Sequence, residues 1–336
     1  MKIKNYFTPK SPVYSGKHQN KETVIRHFLY NDKKVFETSN FEQKQGYKSY
    51  IQVVGLTNIK LIGELKDTFG IDSMIFEDIF NVTQREKIDI RDDYLFSVIH
   101  GLFLKNNEYK REYMSMICSD NIVISFHEEE PWFLDTTIKA LEAYSDLREK
   151  TSDFLFYQIL DLITDNHIDV YDKLSEIMNR FEDVTLNEQI LPQEEFYLVR
   201  KSFIRLKNNV YYLLEQLEKL MFKQHKFIKK DNHEFFHDLI DHLNRLDNQI
   251  SSSRENLRNL VDVNINNQSN KMNKIMTTLT LFSAIFIPLS FLTGFFGMNF
   301  VHFEVLSYEN AVWIFVLFCL FVIGFMVWFF RRKKWL

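Results

Sequence analysis

IMTTLTLFSAIFIPLSFLTGFF at residues 275–296, GMNFVHFEVLSYEN at 297–310 and AVWIFVLFCLFVIGFMVWFF at 311–330 form the stretch that decides the fold. The first and third segments run 22 and 20 residues without an Asp, Glu, Lys, Arg or His. Each is long enough to cross a hydrocarbon core of about 30 Å as a helix. The fourteen residues between them then make a tight turnaround on one membrane face, opened by Gly297-Met298-Asn299. Asn299 therefore sits where a pore running beside the first span would open to the outside.

Charge sets the orientation. Arg331, Arg332, Lys333 and Lys334 follow the second span, Lys271 and Lys274 precede the first, and the connecting loop has no Lys or Arg. Basic residues stay on the cytoplasmic side, so both termini are expected inside and the loop outside, in the plasma (cell inner) membrane. Residues 1–6 lack the apolar run of a signal peptide.

The rest of the composition separates a soluble part from this hairpin. Of 336 residues, 26% are charged, yet 33 Phe and 15 Tyr supply ample core volume. The formal net charge of −4 gives no reason to expect a nucleic-acid partner. No glycine-rich phosphate loop marks a nucleotide site, and no organic cofactor is expected. Cys118 and Cys319 are the only cysteines, which fits a reducing compartment and no disulfide framework.

Up to about residue 130, β-branched and aromatic runs at 49–54, 94–99, 113–118 and 121–126 predict strands, and 58–69 and 75–80 predict helices. From Trp132 onward no glycine occurs before Gly294, and Pro192 and Pro288 are the only prolines, so long helices are expected. The fold class is an α/β cytoplasmic domain plus a long helical bundle and a C-terminal two-helix transmembrane hairpin. Its expected parts are a cytoplasmic α/β and helical domain (1–233) and the cytoplasmic part of a long stalk helix (234–274). A pore-lining span (275–296), an external loop (297–310), a second span (311–330) and a basic tail (331–336) follow.

Alternating steps of three and four along the long helix stay on one face. They pick out Ser252, Glu255, Asn259, Asp262, Asn266, Ser269, Asn273, Met276, Thr280, Ser283, Ile287, Ser290 and Gly294. A dry coiled-coil seam would carry Leu and Ile there. Small residues within the span also suit close helix packing, but carboxylates and amides on the cytoplasmic continuation need water or cations between them. The pattern reads as a wet axis shared by several copies, with Met276, Leu279 and Ile287 as apolar constrictions able to gate by dewetting. Pro288 removes the backbone N–H that Ala284 would bond and invites a bend.

With these residues in view, the chain resembles the CorA family of magnesium and cobalt transporters. The carriers are Asn273, Met276, Leu279-Thr280, Phe286-Ile287-Pro288-Leu289-Ser290, Gly294, Gly297-Met298-Asn299-Phe300 and the ending Lys333-Lys334-Trp335-Leu336. The resemblance implies a funnel-shaped homopentamer with one pore, and a divalent-cation cargo of Mg2+ with Co2+ and Ni2+. It implies an outer ring of Gly297, Met298 and Asn299 that captures the hydrated ion. Mg2+ sheds water reluctantly, and amide oxygens bind its hydration shell without stripping it. It also implies Mg2+ held between neighbouring cytoplasmic domains by Asp78 and Asp238, a second site using Glu77 and Asp165, and Asp262 as an acidic ring on the axis. Uptake needs no ATP, because a divalent ion gains about 4.6 kcal/mol per 100 mV of inside-negative potential. Three positions depart from the family pattern: Phe296 stands where Tyr is usual, Val301 to Glu304 replace a loop that often carries an acid early, and Ile287 replaces Met. A zinc-handling relative is the alternative within transport; Met298, where that branch shows Ile, argues against it.

His233-Glu234-Phe235-Phe236-His237 fits H-E-x-x-H, a zinc-protease pattern. A catalytic zinc needs a third protein ligand. His242, Asp238 and Asp241 are close in sequence, but helical spacing turns Asp238 and His242 off the His233/His237 stripe. The pair reads as incidental surface histidines, and no enzyme is expected.

Overall fold

The computed structural model of the chain describes residues 12–105, 108–298, 308–333 and 335. Two compact units divide it: Met1–Glu182 with Pro192–Asn259, and Asp183–Leu191 with Leu260–Leu336.

The first unit is built on a seven-stranded sheet of β1 (Val24–Tyr30), β2 (Val35–Thr38), β3 (Lys48–Val54), β4 (Lys87–Ile90), β5 (Leu95–Lys105), β6 (Glu108–Cys118) and β7 (Ile122–His127). Its spatial order is β2-β1-β3-β7-β6-β5-β4, and the β3–β7 pair is the parallel one. The four expected strand runs are β3, β5, β6 and β7. β1, β2 and β4 escaped the sequence reading for a physical reason. β2 and β4 are four-residue edge strands whose residues stay partly exposed, so they carry Glu, Lys and Asp and no apolar run. In β1, buried His27 interrupts the apolar pattern; its ring nitrogens lie 2.6 Å from the Asn40 carbonyl and 3.1 Å from Ser49 Oγ.

Helices α1 (Ile59–Phe69) and α2 (Ser73–Phe80) cover one sheet face. Ile62, Leu65, Ile75, Phe76, Ile79 and Phe80 form one cluster there with Ile51, Val53, Phe96, Val98, Ile124 and Phe126. Each such buried side chain contributes about 1.5–3 kcal/mol of transfer free energy. Gly70, in the left-handed region at φ 64°, ends α1. Asp72 then caps α2 by accepting from the Met74 N–H at 2.7 Å. The tight corner fixes how α2 meets the sheet.

Two short helices, α3 (Asp135–Ala143) and α4 (Ser145–Glu149), lead into α5 (Ser152–Leu186), α6 (Gln193–Phe222) and the 64-residue α7 (His233–Phe296). α7 starts one residue before the expected boundary and is helical through Pro288. α5 reaches the sheet through His167, whose Nε2 accepts from the Leu102 N–H at 3.1 Å. α6 lies along the β4 edge, where Gln216 accepts from the Ile88 N–H at 3.2 Å.

In the second unit, the last part of α7 and α8 (Ala311–Arg332) are, among the described residues, the two helices apolar and long enough to span a bilayer, and no residue of either spanning window is buried. Phe296 and Phe315 meet at a ring separation of 5.1 Å. The α5–α6 connection is tied to α7 in this unit by Asn267 Nδ2 donating to the Thr185 carbonyl at 2.9 Å and by the Leu191 N–H donating to Asn264 Oδ1 at 3.3 Å.

His127 and His167 are buried in the first unit, and burial pushes them down to about 3 and about 4. Unfolded, each titrates near 6.5. Above that value both states are neutral and the histidines cost nothing; as pH falls below it, the unfolded state binds the extra protons and stability is lost. The melting temperature of the detergent-solubilised chain should therefore fall from pH 6.5 toward pH 4. His167→Gln keeps an acceptor for Leu102 but cannot titrate, and should flatten that acid slope in thermal unfolding.

Candidate ion pathway and cation sites

α7 carries two stripes of opposite character. Phe236, Ile240, Leu243, Leu246, Ile250, Ser253 and Leu257 are buried against the rest of the first unit. Two residues further along, about 200° around a helix, lie Ser252, Glu255, Asn259, Asp262, Asn266, Ser269 and Asn273; all are exposed or half-exposed. The face continues through Met276, Thr280, Ile287, Ser290 and Gly294, also exposed, with Ser283 half-buried. The same residue type behaves differently on the two faces. Asn264 and Asn267 spend their amides on the α5–α6 connection, whereas Asn259, Asn266 and Asn273 make no side-chain hydrogen bond among the described residues.

In the spanning part, Ile275, Leu279, Phe282, Phe286 and Phe291 of α7 and Val312, Trp313, Ile314, Leu317 and Phe321 of α8 are exposed. Apolar surface of this extent needs hydrocarbon or another protein surface to cover it. Thr280 donates its hydroxyl to the Met276 carbonyl at 2.8 Å. Its oxygen lone pairs are thus left as outward acceptors, the polarity a cation or its hydration water needs. α7 closes with the Gly297 N–H donating to the Thr293 carbonyl at 3.0 Å, and a Cβ at Gly297 would meet that same oxygen at 2.9 Å. Glycine is required there by close backbone approach. Met298 follows and is exposed; Asn299 lies outside the described residues.

The cytoplasmic acids fall in two places. Burial of Ile75, Phe76, Ile79 and Phe80 leaves Glu77 exposed and Asp78 half-buried on the opposite side of α2. Asp78 Oδ2 lies 2.6 Å from Lys87 Nζ, and its carbonyl accepts from Gln84 Nε2 at 2.6 Å. The other group is a ridge of Asp161, Asp165 and Asp169 at four-residue spacing on α5, within electrostatic reach of Asp238 and His242 of α7. His242 Nε2 lies 3.8 Å from Asp238 Oδ1. Burial, then the charge of Asp165, holds Asp161 above the usual carboxylate range, and burial followed by Asp169 does the same to Asp165. Burial and then Asp161 and Asp238 push Tyr157 up to about 12. Like charges one helical turn apart are unfavourable, so a cation would relieve this ridge. Within one chain, Asp238 reaches this ridge electrostatically through Asp161, and Asp78 pairs with Lys87.

Sequence reasoning missed Lys87, Asp161 and Asp169 as members of these groups. The ridge had a legible signal, since Asp161, Asp165 and Asp169 recur every fourth residue. Lys87 had none, because its nine-residue separation from Asp78 spans a helix end, a loop and a strand start.

His233 is half-buried at the start of α7, and Glu234 and His237 are not buried into any site that would gather them. Among the described residues, no group of three or more His, Cys, Asp or Glu is arranged to hold a metal ion. The H-E-x-x-H pattern thus gains no third ligand.

The profile of the family described as CorA-like Mg2+ transporter protein matches residues 50–332. The cobalt/magnesium transport protein CorA of Thermotoga maritima is 25% identical, covering 100% of this chain and 99% of its own length. A zinc transport protein, ZntB of Pectobacterium carotovorum, is 24% identical over 65% of this chain and 66% of its own. Among solved structures, the complete CorA magnesium transporter of Methanocaldococcus jannaschii superposes with a TM-score of 0.80 at 19% identity, covering 93% of this chain and 99% of that one. The family consists of membrane ion transporters and not of enzymes. With a profile match over most of its length, a shared fold and two exposed apolar spans, the chain belongs to the CorA-like family of divalent-cation transporters.

Proposed function

We infer that the protein is a passive, voltage-driven importer of Mg2+ that also admits Co2+ and Ni2+. The observation that carries this reading is the polar stripe of α7, continuous from Ser252 to Gly294 and opposite the face that packs. Several copies arranged around that stripe, five in the reading taken from the family, would enclose a wet axis. Asp262 and Asn273 would line its cytoplasmic part, and Thr280, Ser283, Ser290 and Gly294 its membrane part. Met276, Leu279 and Ile287 would be the constrictions. Gly297, Met298 and Asn299 would form the outer collar, with both termini cytoplasmic.

Regulation is assigned to Mg2+ bridging Asp78 of one subunit and Asp238 of the next, with Glu77 and Asp165 at a second site. The raised carboxylates of the α5 ridge support a cation requirement there. Carboxylates from different subunits repel until a cation joins them, so a fall in internal Mg2+ would loosen the ring. A second reading, zinc transport, is favoured by the ZntB match and opposed by Met298.

Flux in liposomes under a set voltage, comparing Mg2+, Co2+, Ni2+ and Zn2+, tests the cargo. Mg2+ and Co2+ should pass, and transport of Zn2+ alone would overturn the assignment. Asn299→Ala should abolish Mg2+ uptake while the oligomer persists on native mass measurement; undiminished flux would remove the outer collar. Asp238→Ala should leave currents that persist at high internal Mg2+, and normal inhibition in that variant would place the sensor elsewhere. A chain that remains monomeric in mild detergent would remove the pore itself.

A further inference from the structure

We propose that Lys87 is a tethered competitor for the regulatory cation, occupying Asp78 when the sensor is empty and leaving it when Mg2+ binds. The proposal rests on the Asp78–Asp238 reading given above and adds what sets its threshold.

Three observations carry it. The first is the contact itself: Lys87 Nζ sits 2.6 Å from Asp78 Oδ2, with side-chain exposures of 28% and 22%. This is a half-buried pair and not a solvent-washed surface bridge. Both backbones are fixed, since Lys87 opens β4 in register with Val98 and the Asp78 carbonyl is held by Gln84. The Lys87 ammonium also lies 5.4 Å from the Phe96 ring centre.

The second is electrostatic. Asp78 lies in the last turn of α2, whose closing carbonyls disfavour a carboxylate. That turn contains no basic residue of its own. Lys87 supplies from β4 the positive charge the helix end lacks. A Mg2+ ion arriving at Asp78 takes over the same job, and an ammonium 2.6 Å from Oδ2 repels a divalent cation on the same carboxylate, so the two positive charges compete for it.

The third is an alternative seat. Asp89 Oδ2 lies 3.3 Å from the same ammonium, two residues along β4 and more exposed than Asp78. Lys87 can therefore give up Asp78 without losing a carboxylate partner. The ammonium bridges both carboxylates in this structure, and the exchange is a shift along that bridge: on Asp78 and Asp89 together with the sensor empty, on Asp89 alone with the sensor loaded. A site available only while Lys87 is on Asp89 alone has its apparent affinity reduced by that fraction. The competitor thus moves the closing threshold to higher internal Mg2+.

The test uses the full-length protein in proteoliposomes. Flux is titrated against internal Mg2+, and protection from chymotrypsin by Mg2+ serves as a readout independent of transport. Lys87→Met should lower the half-inhibiting Mg2+ concentration by roughly twofold to fivefold, the upper range of one ion pair of this exposure. Lys87→Gln should shift it with the same sign, and serves if the methionine variant fails to assemble. Asp89→Asn removes the alternative seat and should raise it. Asp78→Ala separates the two levels of the argument. If that variant keeps normal Mg2+ inhibition, the sensor reading falls and this proposal falls with it. If it loses inhibition while the Lys87 variants show an unchanged or higher half-inhibiting concentration, the sensor stands and the competitor is overturned. An Asp89→Asn variant with an unchanged or lower value likewise overturns the exchange.

Discussion

Polar groups carried into hydrocarbon must find partners, and that constraint governs this chain. α7 takes Thr280, Ser283 and Ser290 along a single face through a membrane span, and Asp262, Asn266 and Asn273 continue that face beyond the span. Threonine hydroxyls can turn back onto their own helix, as Thr280 does to Met276. Amides and carboxylates further down cannot satisfy themselves that way. In the proposed assembly, water and cations on a common axis meet the requirement, so the need to solvate the stripe and the ability to pass an ion have one origin.

The packed face of α7 supplies the complementary half. Leu243, Leu246, Ile250 and Leu257 bind the helix into the first unit, and the amides of Asn264 and Asn267 bind it to the α5–α6 connection. A residue's chemistry alone does not assign its role here, because asparagines serve both faces. What separates them is an offset of about 200° around the helix axis. The acids divide in a similar way. Asp78 is paired within the chain with Lys87, whereas Asp161 and Asp165 are held above the usual carboxylate range by burial and by adjacent carboxylates. In the proposed regulation, these two differently poised acidic groups would act as two handles with different thresholds.

Legibility followed the strength of local pattern. The hairpin was plain because some twenty consecutive uncharged apolar residues, in a chain otherwise this charged, are long enough to cross a bilayer and too apolar for a solvated helix. The four central strands were plain because both of their faces are covered, giving long β-branched and aromatic runs. The edge strands β2 and β4 were not, since partial exposure admits charged residues and erases the pattern. β1 was lost to His27, whose burial is tolerated through Asn40 and Ser49, residues 13 and 22 positions away.

The sequence by itself determined the two spans, the long helix with its polar stripe, and the family through the Gly-Met-Asn loop and its neighbours. All of these are written in periodicity or in adjacent residues, where helix geometry converts spacing into direction. Only the tertiary structure decided which face of α7 packs, that Lys87 holds Asp78, and that Asp238 reaches the α5 ridge through Asp161. Those relations join residues from different elements, and electrostatics between them depends on separations in space that a linear pattern does not carry.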